Sequence, residues 1–135
     1  MAGDLAQLVK DGYDAWNRGD RDWVLAHMSP DFEWISPADD PDAGVYRGYE
    51  AVEHYWEGWR EAVGELHFEV ERIEERGDEV VVVARRSGRG IESGLVIEDS
   101  IVQIFTFDGS GKAVSCREFY DESEALKEVR RSAES

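Results

Sequence analysis

The 135-residue sequence predicts an α+β fold. Three observations carry that expectation. Apolar residues recur at helical spacing in the first half, alternating and β-branched residues fill the second, and a strong hairpin signal joins the last two strands. Helices followed by a strand meander differ from the alternating order of a parallel α/β sheet.

Taken in order, Leu5, Leu8, Val9, Gly12, Tyr13 and Trp16 form one helical stripe, which Asn17-Arg18-Gly19 closes. Asp20 caps a second, short helix running to Met28, and Pro30 stops it. Phe32 to Ser36 reads as a strand, Pro37 to Gly44 as a loop, and Val45 to Arg47 as another short strand. After Gly48, the residues Val52, Tyr55, Trp56, Trp59 and Val63 share one helix face as far as Gly64. Leu66, Phe68 and Val70 then alternate with His67, Glu69 and Glu71. A Gly77-Asp78 turn leads into the run Val80 to Val83, and Ser87 to Gly94 reads as a Gly-rich connection. Leu95 to Phe107 is a long strand, Asp108-Gly109-Ser110-Gly111 a hairpin turn, Lys112 to Tyr120 the return strand, and Asp121 to Arg130 a last helix.

The length suits a single domain over residues 1–135. With 15 Lys+Arg against 31 Asp+Glu the formal charge is -16, which argues against nucleic-acid partners and against anionic membranes. The first residues lack the basic start and apolar run of a signal peptide, and no apolar stretch approaches membrane-spanning length, so a cytoplasmic location is the expectation. A lone cysteine, Cys116, fits a reducing compartment. Three scattered histidines and the absence of paired cysteines give no metal motif, and neither a metal nor a cofactor is expected.

A turn centred on Gly109-Ser110 pairs Gln103 with Cys116, Ile101 with Glu118 and Asp99 with Tyr120. One face then carries Asp99, Gln103, Phe105, Cys116, Glu118 and Tyr120; the other carries Val102, Ile104, Arg117 and Phe119. Polar groups on an otherwise apolar face mean either that the face lines a polar-dotted cavity or that it is not the buried one. A one-residue slip would invert the assignment.

The segments Tyr13-Asp-Ala-Trp-Asn-Arg-Gly-Asp20, Pro30-Asp-Phe-Glu-Trp34 and Tyr46-Arg-Gly48, with the strands after them, resemble the SnoaL-like families of the NTF2-like superfamily. The likeness spans about Leu5 to Val129 and implies a cone: a curved antiparallel sheet wrapped over N-terminal helices, enclosing a central pocket. It also implies a frequent homodimer, for which an outward apolar patch of Val102, Ile104 and Phe119 would serve. Steroid isomerases of the superfamily place an oxyanion-stabilising Asp, a general-base Asp and an oxyanion Tyr where this sequence has Gln103, Ser36 and Gly12. All three chemical positions have changed, and the resemblance turns the Gln103–Glu118 face inward.

The expected partner is a small apolar molecule, bound with or without cyclase, isomerase or hydratase chemistry; a non-catalytic binding or dimeric interaction domain is the alternative. Glu118 and Asp99 are the acid–base candidates, because burial beside a second carboxylate raises a carboxyl pKa. Glu118 can equally be a structural carboxylate paired with Arg85. Gln103, Tyr120 and Arg85 are candidates for holding an oxyanion or a substrate oxygen. Arg85 would face inward if the Gly77-Asp78 turn sets it opposite Val70; a bulge would turn it outward. Trp34, Ser36, Tyr55, Trp56, Trp59, Phe105 and Cys116 are the expected ligand contacts.

Overall fold

The computed structural model of the chain describes residues 4–37 and 43–127. Within them the order is α1 (Asp4–Asn17), α2 (Arg21–Ala26), β1 (Met28–Ile35), β2 (Val45–Arg47), α3 (Tyr49–Val63), β3 (His67–Arg76), β4 (Glu79–Arg89), β5 (Val96–Phe107) and β6 (Ala113–Phe119). Residues 122–127 form a further helical turn; the remainder of the helix expected to Arg130 lies outside the described residues. Six strands make one sheet in the order β2-β1-β6-β5-β4-β3. Every neighbouring pair is antiparallel except β1 with β6, so the sheet is mixed and not the wholly antiparallel one expected.

The stripes on α1 and α3 bury Val9 and Tyr13, and Val52, Tyr55, Trp56 and Val63, against the inner face of the sheet. Asp20 caps α2 by accepting from the Trp23 N–H at 3.1 Å, but the helix ends at Ala26 and Met28 already belongs to β1. Polar side chains fix α1 on the sheet. Asn17 exchanges two hydrogen bonds with the Phe68 backbone, at 2.8 and 2.9 Å, and the Trp16 indole donates to the Leu66 carbonyl at 2.8 Å.

The stretch from Ser87 that was expected as a connection continues β4 to Arg89, and its glycines have a packing reason. A Cβ on Gly90 would sit 2.3 Å from the Ala62 carbonyl oxygen, and one on Gly88 2.7 Å from that of Val63. Only bare backbone lets the end of β4 pass under the end of α3.

The register departs from the two-residue hairpin. Gln103 lies opposite Glu118 and Phe105 opposite Cys116, two positions from the expected pairing. The turn is wider because Asp108 organises it, accepting from the backbone N–H groups of Ser110 and Lys112 at 2.9 and 3.0 Å. An irregularity between Thr106 and Phe107 absorbs the rest. On the outer face, Val81, Val102 and Ile104 are buried together with Ala125 of the 122–127 turn. The exposed patch of Val102, Ile104 and Phe119 that motivated the homodimer expectation is therefore not there. Among the described residues no helix is long and apolar enough to cross a membrane.

Candidate functional site

Between the three helices and the inner face of the sheet lies a cavity of about 110 Å³. Its walls are mainly aromatic and aliphatic, with Trp16, Trp34, Trp56, Trp59, Phe68 and Phe105 among them. Into this apolar space the sheet delivers one carboxyl, that of Glu118 on β6, which is 4% exposed.

Glu118 is held by neutral donors. The Trp34 indole donates to Oε1 at 2.7 Å, the Tyr55 hydroxyl to the same oxygen at 3.2 Å, and the Gln103 amide to Oε2 at 2.9 Å. Gln103 is oriented in turn by the Tyr13 hydroxyl, which donates to its Oε1. Burial pushes the Glu118 carboxyl above its ordinary value of 4.5, against the opposing pull of those donors and of the Arg86 charge. Burial also raises the Tyr13 phenol, with the negative charge of Glu118 contributing. The chain Tyr13–Gln103–Glu118 thus presents a hydrogen-bonded carboxyl to a mainly apolar cavity.

Arg86 of β4 is the one Lys or Arg side chain lining the cavity among the described residues. It is 2% exposed and makes two hydrogen bonds to Asp99, at 3.0 and 2.9 Å. Its guanidinium carbon lies 4.8 Å from the centre of the Trp59 ring and 5.7 Å from that of Tyr120. Burial works against the charge, but hydrogen bonds to Asp99 and Tyr120 and the neighbouring carboxylates raise its pKa further still.

The structure sorts the expected residues. Glu118, Gln103, Trp34, Tyr55, Trp56, Trp59 and Phe105 all line the cavity. Arg85 does not. It is exposed, opposite Ser100, and paired with Glu98 at 3.2 Å. The Gly77-Asp78 turn forms as expected, but a bulge at Glu71 shifts the register by one, so Val70 meets Ala84 and Phe68 meets Arg86. Asp99 stands on the correct face but at its rim, engaged by Arg86 and not beside Glu118. Tyr120 is 39% exposed and attends Arg86 from outside the cavity. Gln103 spends its amide on Glu118, so it steadies the carboxyl and is not a free oxyanion donor. Ser36 is buried, but its hydroxyl exchanges hydrogen bonds with Gly44 and closes the intervening loop. Cys116 is fully buried behind the wall, its thiol pushed up by burial.

Three titratable lining groups escaped the sequence reading. Tyr13 counted only as part of the apolar stripe, although a phenol on a buried stripe needs a polar partner and Gln103 faces it. Arg86 was hidden by the Glu71 bulge. His27 caps the end of α2, stacks on Trp23 with ring centres 3.9 Å apart, and places Nδ1 2.8 Å from the Trp23 carbonyl. A carbonyl only accepts, so Nδ1 carries the proton. Among the described residues no group of three or more His, Cys, Asp or Glu side chains is placed to hold a metal ion.

Comparison with known proteins agrees with this architecture. A family model for the SnoaL-like domain matches residues 9–116. An NTF2-like protein from Burkholderia thailandensis superposes with a TM-score of 0.76 at 30% identity, covering 87% of this chain and 90% of that one. A protein from Jannaschia sp. provisionally assigned as a SnoaL-like polyketide cyclase gives a TM-score of 0.71 at 24% identity, covering 90% and 88%. TerC, crystallised with polyporic acid, gives 0.75 at 22% identity, covering 92% and 95%. No curated protein matches the sequence. The family match over most of the chain, and a cavity between a six-stranded sheet and helices, identify it as a member of the SnoaL-like domain family.

Proposed function

We propose that the domain binds a small, largely apolar metabolite in the central cavity and moves a proton to or from it through Glu118. The reaction class is cyclase, isomerase or hydratase chemistry. The carrying observation is a single carboxyl, fully inside an aromatic cavity, held by Trp34, Tyr55 and Gln103 and raised in pKa by burial. Burial moves such a carboxyl upward from its ordinary value, the direction that general acid–base catalysis uses. The fold shared with a protein assigned as a polyketide cyclase, and with one crystallised with polyporic acid, supports a ring-bearing ligand. Trp34, Tyr55 and Gln103 hold the carboxyl in place, and Tyr13 orients Gln103.

Native mass spectrometry of freshly purified protein identifies a retained metabolite, and turnover is then compared between wild type and Glu118→Gln. The isostere keeps the shape of the wall. The expected outcome is a bound ligand in both proteins and a loss of turnover of about 10²–10⁴-fold in the variant. Turnover at the wild-type rate in a folded Glu118→Gln protein would contradict the assignment.

A further inference from the structure

Trp56 is 4% exposed and its indole lines the cavity. Among the described residues its Nε1–H is the one buried side-chain polar atom without a hydrogen-bond partner. The two other indoles beside it are satisfied, Trp16 by the Leu66 carbonyl and Trp34 by Glu118. Buried indole N–H groups ordinarily find an acceptor. An unmet donor on a lining residue is a hydrogen bond that the protein's own groups leave unmade.

We infer that Trp56 recognises the ligand, by donating its indole N–H to a neutral oxygen acceptor carried on a one-ring molecule. The inference rests on the cavity reading above and deepens it by naming the class of ligand. Charge argues for a neutral acceptor. Arg86 is the sole Lys or Arg of the described lining, and Asp99 already engages it twice. A ligand carboxylate would meet the Glu118 carboxyl with no unpaired Lys or Arg of the described lining to offset it. Size argues for one ring, because the cavity of about 110 Å³ is of the order of the ~150 Å³ apolar cavity that takes up benzene. Position argues for a link to chemistry. Trp56 meets Trp34 edge to face, ring centres 5.7 Å apart, and Trp34 in turn holds Glu118. The acceptor site and the proton-transfer group therefore flank one indole.

The matched probes are acetophenone and ethylbenzene, which share size and ring and differ in the oxygen. Both are titrated into wild type and Trp56→Phe, and the indole N–H resonances of ¹⁵N-labelled protein are followed. The Trp56 resonance is the one missing from the variant. Acetophenone is expected to shift that resonance and to bind wild type about tenfold more tightly than the variant, a difference near one hydrogen bond. Ethylbenzene is expected to bind both proteins alike. Acetophenone binding equally to both, with the Trp56 resonance moving no more than ethylbenzene moves it, overturns the inference and leaves the apolar cavity standing. Failure of both probes to bind wild type overturns the cavity reading as well. Should Trp56→Phe not fold, the shifts in wild type decide the matter, the Trp56 resonance then being the one that Trp16→Phe, Trp23→Phe, Trp34→Phe and Trp59→Phe all leave in place.

Discussion

Two glutamates of the same sheet are buried on opposite faces, and they are held in opposite ways. Glu79 opens β4 on the outer face, where Arg117 donates to it at 2.6 Å and Thr106 at 3.2 Å. Glu118, the residue after Arg117 in β6, turns to the inner face and meets only neutral donors within hydrogen-bond distance. A carboxylate given a cation forms an ion pair that ties two strands together. One given dipoles inside an apolar cavity has its charged form disfavoured by burial. The outer arrangement is what a sheet needs for stability, and the inner one is what proton transfer needs. Arg86 shows that the inner face can host an ion pair, yet the fold spends that cation on Asp99 at the rim and not on Glu118.

Substitutions should separate these roles, beginning with the largest effect. Arg86→Ala removes a buried side chain, breaks its pair with a partly exposed Asp99 and takes away the packing on Trp59, so it should lower unfolding free energy by about 3 kcal/mol in urea titrations. Next, Glu79→Gln breaks the charge pair with Arg117 while keeping the shape, and should cost about 1–2 kcal/mol. A neutral result at Glu79 alongside a several-kcal/mol loss for Glu118→Gln at neutral pH would invert the contrast between the faces.

The pattern of success in reading the sequence follows from strand geometry. Stripes such as Val52, Tyr55, Trp56, Trp59 and Val63 gave helix α3 directly, because burial enforces the 3.6-residue period. The β5–β6 register was displaced by two residues, yet Gln103 and Glu118 still came out facing inward, because side chains alternate with a period of two. Across β3 and β4 the displacement was a single residue at the Glu71 bulge, and that exchanged Arg85 for Arg86 on the inner face. Bulges leave little trace in composition, so a one-residue error there is invisible until the chain is folded. The parallel pairing of β1 with β6 joins segments far apart in sequence and has no local signal either. The Tyr13–Gln103 contact spans 90 positions and was reachable only by asking where a phenol on a buried stripe finds its partner.

Burial raises the Glu118 carboxyl, so the fold favours its protonated form relative to the unfolded chain. A raised folded-state pKa means that the native protein binds more protons than the unfolded chain once pH exceeds the ordinary Glu value of 4.5. The stability contributed by Glu118 is then fully present below that value and is lost as pH rises through the folded pKa. Glu118→Gln cannot ionise, so it escapes this loss. The difference in unfolding free energy between Glu118→Gln and wild type, measured by urea titration from pH 4 to pH 9, tests the point, and subtraction cancels the self-repulsion of the other acids. The difference is expected to move steadily in favour of the variant as pH rises above the ordinary Glu value of 4.5. A difference that stays flat, or that turns against the variant with rising pH, would mean that the fold favours the Glu118 carboxylate, and would contradict the account.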